Sequence, residues 1–211
     1  MPTLYPETGA CVYTDRLAQQ IQFILEIDRL KQILRQSLIT GGSRRENSAE
    51  HSWHLAIMAS VLAEYALPGV NQLRSIQMLL IHDLVEIDAG DTFCYDVQGN
   101  ANKAEREQQA ADRIFGLLPE DLAQEMRSLW DEFEAVATPT AKFAAALDRI
   151  EPMLLNQQTQ GGTWKLHGIT RDRVLHRMQP VAEGTPELWN FVEQVIEECV
   201  AAGYLQEGAI V

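Results

Sequence analysis

Apolar residues recur at steps of three and four along most of the chain, a spacing that predicts amphipathic helices. From Leu17 the positions Ile21, Ile24, Ile27, Leu30 and Leu34 share one helical face, and Gly41-Gly42-Ser43 ends that run. Asn47 with Glu50 three residues later has the form of a capping box. Behind it His51, Leu55, Met58, Leu62 and Tyr65 make a stripe that Pro68-Gly69 terminates. A third run leads from Leu73 through Ile76, Leu79 and Leu80 to His82 and Asp83 and stops near Gly90. After a polar loop over 91–102, a charged amphipathic stretch over 103–118 predicts a fourth helix. Pro119, suited to a first helical position, opens a fifth with Leu122, Met126, Leu129 and Phe133. The sixth, from 140 to about 156, carries Phe143, Leu147, Ile150 and Leu154, with Asp148 beside Ala141, Ala144 and Ala145. Two further helical patterns, near 171–181 and 186–200, follow the Gly161-Gly162 break. No segment alternates as a strand does, and neither a repeat nor a linker interrupts the pattern. The expectation is one all-α domain of about eight helices over 1–211, with a core at about 17–156 and C-terminal helices at about 170–201.

With 46% hydrophobic and 22% charged residues among 211, the balance is that of a soluble globular domain. No window approaches the ~18 uninterrupted apolar residues of a membrane helix. The N-terminus, Met1-Pro-Thr-Leu-Tyr-Pro-Glu, lacks the basic and apolar regions of a signal peptide, so the expected setting is cytoplasmic with no membrane partner. Seventeen Lys and Arg against thirty Asp and Glu give a net charge of −13, which repels a nucleic-acid polymer. A small phosphorylated substrate stays compatible, because a divalent cation and a few arginines can reverse the potential inside one pocket. Cys11, Cys94 and Cys199 are widely spaced and form no Cys-x-x-Cys pair, against a disulfide framework or zinc ribbon. Cys94 has no evident activating neighbour.

Two ionisable residues, His82 and Asp83, close an apolar helix. Adjacent helical positions point about 100° apart, so such a pair converges only at a helix end or a distortion. An isolated His-Asp is most often a capped or salt-bridged helix end; the company of this one changes the reading. His51 opens another core-facing stripe and Asp148 lies among alanines on a third, so four potential ligands come from three apolar elements. Unpaired, such groups would lose several kcal/mol by desolvation, whereas imidazole plus carboxylate suits a divalent ion such as Co, Mn, Mg, Fe, Ni or Zn.

His51, then His82-Asp83 after 31 residues and Asp148 after 65 more, resembles the H…HD…D signature of HD-domain metal-dependent phosphohydrolases. Within them it is similar to the 5′-deoxynucleotidases that act on deoxyribonucleoside 5′-monophosphates. The segments that carry the resemblance are Glu46-Asn-Ser-Ala-Glu-His51-Ser, Leu80-Ile-His82-Asp83-Leu-Val-Glu86-Ile-Asp-Ala-Gly90-Asp91 and Lys142-Phe-Ala-Ala-Ala-Leu-Asp148-Arg. Leu118-Pro-Glu-Asp-Leu122 and Leu129-Trp-Asp-Glu-Phe133 add to it, and the likeness runs over about 17–199. It implies a helical fold, a homodimer and one divalent ion held by His51, His82, Asp83 and Asp148. It also implies functional roles for Glu86 and Asp91 and a phosphate contact from Arg35. The Trp that follows that Arg in a bacterial member is Gln36 here, so deoxyribose selectivity is not carried over.

Glu86, four residues after His82, shares its face if the helix continues; otherwise it is a solvated charge at a helix end. Asp91 follows Gly90 in what is also a turn or cap signal. Arg35, Arg44 and Arg45 precede His51, and the planar guanidinium suits phosphate; Arg35 is preferred. His54 reads as a packing histidine, His167 and His176 carry no pattern, and the 131–134 run reads as a solvated face. Zincin, P-loop, serine-hydrolase and dinucleotide motifs are missing. The expected activity is metal-dependent hydrolysis of (deoxy)ribonucleoside 5′-monophosphates to nucleoside and phosphate. Two alternatives stay open: an HD hydrolase of another nucleotide phosphate (di- or triphosphate, alarmone or cyclic nucleotide), and a non-catalytic metal-containing nucleotide-sensing module. The C-terminal run Leu188, Val192, Val195 and Cys199 fits either core or interface.

Overall fold

The computed structural model describes residues 14–208; Cys11 and the N-terminal 1–7 reading lie outside the described residues. The chain is helical, in the order α1 (Asp15–Ile27), β1 (Leu34–Leu38), β2 (Arg45–Asn47), α2 (Ser48–Val61), α3 (Gln72–Ile81), α4 (Glu86–Ala89) and α5 (Val97–Asn100). There follow α6 (Lys103–Phe115), α7 (Glu120–Ala135), α8 (Pro139–Gln158), α9 (Gly162–Leu166), α10 (Arg171–Gly184) and α11 (Trp189–Ala201). No helix of the described residues is long and apolar enough to cross a membrane.

Three expectations about elements need correction. The first apolar run does not continue as one helix: α1 ends at Ile27, a 3-10 segment spans Asp28–Gln32, and the chain then becomes β1. Leu34 fits the helical period but is 53% exposed, so its spacing carries no packing information. The chain is thus not wholly free of strands. β1 pairs antiparallel with β2, with Leu34 opposite Asn47 and Leu38 opposite Arg45, and Gly41 and Gly42 at φ +88° and +71° make the turn between them. The third run likewise breaks: α3 stops at Ile81, His82–Val85 form a 3-10 turn, and α4 restarts at Glu86.

Packing centres on α8. Phe143, Leu147 and Ile150 are buried on it, each contributing about 1.5–3 kcal/mol by removal from water. Ala141, Ala144, Ala145 and Ala146 are also buried and let neighbouring helices approach closely. A Cβ on Gly184 of α10 would stand 2.2 Å from the Lys142 carbonyl oxygen, so the two backbones nearly touch there. Val192, Val195 and Cys199 of α11 join this core, which answers the question of interface or interior for most of that run. A second cluster, with Phe23, Leu30, Val85, Ile114 and Trp130, packs α1, α6 and α7 around the 3-10 turn. That turn sits between the two cores and is held by the Trp130 indole N–H, which donates to the His82 carbonyl at 3.2 Å.

Candidate metal centre

His51 lies in the first turn of α2, whose start is fixed by a capping box. Asn47 Oδ1 accepts from the Glu50 N–H at 3.0 Å and Glu50 Oε2 accepts from the Asn47 N–H at 3.2 Å, a device worth about 1 kcal/mol. His82 and Asp83 open the 3-10 turn, and this local tightening resolves the divergence that an α-helix would impose on adjacent side chains. Asp148 comes from the middle of α8, where its alanine neighbours let α2 and α3 close over it.

The four side chains meet. His51 Nε2 is 3.0 Å and His82 Nε2 3.6 Å from Asp148 Oδ1, while His82 Nε2 is 3.1 Å from Asp83 Oδ1. One ligand atom each of His51, His82 and Asp83 lies within 4.8 Å of the others. The His82 ring shows how this group is meant to be used. Its Nδ1–H donates to the Leu79 carbonyl at 2.8 Å, so in the neutral ring Nε2 carries a lone pair. That Nε2 is buried without a hydrogen-bond partner and faces two carboxylate oxygens, which cannot donate when ionised. Lone pairs and negative oxygens converging in this way repel unless a cation lies among them. The donor set of two imidazole nitrogens and two carboxylates fits a divalent ion.

Without an ion, the two imidazoles offset the surplus negative charge of this cluster. Burial opposes ionisation of Asp148, yet the two imidazoles hold its carboxyl well below the usual range. Burial and Arg35 oppose protonation of His51, but its hydrogen bonds with Asp148 and Glu151 push it up to about 10. Behind His51 stand two more buried carboxylates. Glu151 Oε2 lies 3.2 Å from His51 Nδ1 and its Oε1 lies 3.1 Å from His54 Nδ1; Glu46 Oε2 is 3.6 Å from His51 Nδ1. Burial first, then the Glu151 charge, raise Glu46 to about 8.

The centre forms the floor of a cleft. Glu86 lines it, accepting from Ser48 Oγ at 2.6 Å; burial, then the Asp83 charge, raise its pKa well above the usual value. Asp91 lines it too, raised by burial against the pull of Arg35. Arg35, on β1, donates from Nη1 to Asp83 Oδ2 at 2.8 Å and lies 3.9 Å from Asp91 Oδ1, so it braces the carboxylates while facing the cleft. Gln36 is also on this wall. Arg44 is elsewhere, paired with Glu50 at the surface, and Arg45 is exposed. His54 turns to Glu151 and away from the four. Cys94 is at the rim, its thiol raised by desolvation, the wrong direction for a nucleophile.

Some lining residues were not legible in sequence. Glu134 is exposed, as expected of a solvated face, and also borders the cleft, where desolvation raises its pKa. Glu151 carried a usable signal, since its place three residues after Asp148 puts both on one helix face. Arg149 and Arg177 also line the cleft, as do the apolar side chains of Phe93, Met153 and Trp164. Nothing local in the sequence marks Arg177, which reaches the site only because α10 packs on α8.

Comparison with known proteins agrees with this geometry. Proteins named 5′-deoxynucleotidase HDDC2 from Homo sapiens and Danio rerio are 33% and 30% identical over 135 residues, 64% of this chain. The chain spans 65% and 66% of the length of those relatives, just under two thirds. A solved structure described as a predicted metal-dependent phosphohydrolase from Magnetospirillum magnetotacticum MS-1 is 54% identical, with TM-score 0.87 over 90% of this chain and 96% of that one. A conserved hypothetical protein from Pyrococcus furiosus, at 24% identity and TM-score 0.54, over 86% of this chain and 99% of its own, shares the fold. The HD domain family matches residues 27–189, a stretch that takes in His51, the His82-Asp83 turn and Asp148, and this chain belongs to it.

Proposed function

We propose that the chain is a divalent-metal-dependent phosphohydrolase that converts (deoxy)ribonucleoside 5′-monophosphates to nucleoside and inorganic phosphate. The observation that carries this reading is the buried, unpartnered Nε2 of His82, which lies 3.1 Å from Asp83 Oδ1 and 3.6 Å from Asp148 Oδ1 at a cleft, with His51 in the same cluster. The similarity to proteins named 5′-deoxynucleotidase and to the structure described as a metal-dependent phosphohydrolase supports it.

His51, His82, Asp83 and Asp148 would hold the ion. When bound, a divalent ion supplies Lewis acidity, lowering the pKa of water toward neutrality and offsetting phosphoryl charge. Glu86 and Asp91 orient the attacking water and handle the proton that the departing 5′-oxygen needs. Ser48 holds Glu86 Oε2 at 2.6 Å, and Glu86 lines the cleft. Arg35 keeps Asp83 and Asp91 oriented and offers its remaining N–H groups to the phosphate. Phe93, Met153 and Trp164 supply apolar surface for the nucleoside.

The working form is a homodimer. Support comes from exposed apolar side chains on neighbouring helices: Trp53, Ile57 and Val61 on α2 are 63%, 47% and 67% exposed, and Leu73 and Leu80 on α3 are 67% and 45% exposed. Light scattering on purified protein checks this, and a monomer at micromolar concentration contradicts it.

The deciding experiment supplies the protein with Co, Mn or Mg, with and without EDTA, and a panel of ribo- and deoxyribonucleoside mono-, di- and triphosphates. Chelator-sensitive release of inorganic phosphate from the monophosphates is expected. Release of pyrophosphate, or no hydrolysis with any metal, overturns the assignment.

A further inference from the structure

The chain has 30 acidic and 17 basic residues, so a carboxylate is the common partner of an arginine. Most described arginines have one: Arg16 with Asp121, Arg74 with Glu132 and Arg113 with Asp88 are examples. Of the arginines that line the cleft, Arg35 is ion-paired with Asp83 at 2.8 Å, whereas Arg149 has no such partner and Arg177 has one only at the limit of contact. Among the described residues Arg149 has no carboxylate oxygen within 4.0 Å; its Nη1 donates to the Ala145 carbonyl at 2.7 Å, and its Nε is buried with no partner at all. Arg177 reaches only Asp148, with Nη2 4.0 Å from Oδ2, and its side chain is 38% exposed.

Both line the cleft, and Asp148 relates them to its floor. The Oδ1 atom of that carboxylate faces the imidazoles of His51 and His82, while Oδ2 is the one nearer Arg177. Arg149 and Arg177 also border together an adjoining groove beside Tyr95 and Arg173. Arg173 adds to the same side: it lies over the Tyr95 ring at 5.1 Å and donates to the Tyr95 carbonyl at 3.0 Å. Two guanidinium groups lining one cleft, the first with no carboxylate within 4.0 Å and the second with only Asp148 Oδ2 at that limit, are complementary to a doubly charged oxyanion with several acceptor atoms.

The geometry points to Arg149 and Arg177 as a clamp on the substrate's phosphoryl group, reaching it from α8 and α10 while Arg35 lies on β1. This rests on the reading of the cleft as a phosphomonoesterase site and names two binding residues for it. Neither arginine was expected to have a role from the sequence.

The test uses Mn-loaded full-length protein and inorganic phosphate as the probe, measured by titration calorimetry, so no turnover is needed. Arg177→Gln, at a part-exposed position, is the primary variant, and Arg149→Gln is the second. Each is expected to weaken inorganic phosphate about tenfold or more, the scale of a hydrogen bond to a charged group. Metal content and helical circular dichroism stay unchanged, nucleoside affinity stays unchanged, and Arg177→Lys restores part of the loss. Unchanged phosphate affinity in Arg177→Gln overturns the clamp, as does an equal loss of nucleoside affinity. The two proposals fail separately. Nucleotide hydrolysis with unaltered phosphate binding in both variants refutes the clamp alone, and arginine-dependent phosphate binding without hydrolysis of any 5′-monophosphate refutes the activity alone.

Discussion

Substituting Glu151→Gln keeps the shape of a fully buried side chain and removes one negative charge. The carboxylate serves two rings at once, His51 through Oε2 at 3.2 Å and His54 through Oε1 at 3.1 Å. As a double acceptor it fixes Nδ1–H on both, which in the neutral ring that a metal needs leaves His51 Nε2 with the lone pair, on the side of Asp148. A glutamine has one oxygen and one NH₂ group, so it can accept from only one of the two histidines. If its oxygen stays with His54, the NH₂ meets His51 Nδ1 and drives the proton to Nε2, where it blocks ligation. Loss of such a carboxylate behind a ligating imidazole typically weakens metal affinity about 10–100-fold, or about 1.4–2.7 kcal/mol. The assay is competition for Co or Mn against a chromophoric chelator, with the Co absorption spectrum as a readout of ligand geometry. The burial of Glu151 makes a thermal melt a necessary companion, to show that the variant is folded at the titration temperature. Metal affinity within about twofold of the parent protein in a folded Glu151→Gln chain refutes the reasoning, because a fixed tautomer worth so little would not matter.

Other outcomes follow from the same geometry. His82→Ala should lose bound metal and all phosphate release while keeping its helical circular dichroism; retained activity in metal-stripped protein contradicts it. Glu86→Gln should keep the ion and lose turnover, because its carboxylate is held by Ser48 beside the four proposed ligands; an equal loss of metal content makes it a ligand instead. Gly184→Ala should destabilise the fold by about 1–3 kcal/mol in denaturant titration, since its Cβ would meet the Lys142 carbonyl oxygen at 2.2 Å and press α10 away from α8. An unchanged midpoint shows that the two helices separate freely.

Why some of this was legible in the sequence and some was not is a matter of range. Long helices could be located because most bury a stripe with a 3.6-residue period, α8 showing it best through Phe143, Leu147 and Ile150, while α1 keeps the period with Leu17, Ile21 and Ile24 exposed and only Phe23 buried. The same rule misled at Leu34, where the period persists by coincidence and pairing with Asn47 across the Gly41-Gly42 turn decides the conformation. His51, His82, Asp83 and Asp148 stood out as polar groups on apolar stripes, which depends only on local pattern. The 3-10 turn that makes His82 and Asp83 converge was foreseeable as a need, though its type was not. Arg177 and Glu134 could not be read from sequence, because their place in the cleft is set by how α10 and α7 pack against other helices.

The central claim is that one cation is gripped on the Nε2 side of both imidazoles. Anomalous diffraction at the Mn or Co edge, on crystals grown with that metal, addresses it directly. One peak per chain is expected between His51 Nε2 and His82 Nε2, bordered by Asp83 and Asp148. A peak on the opposite side of His51, among its Nδ1, Glu46 and Glu151, which form a second group of potential ligands, contradicts the account, and so does a map with no peak at either place.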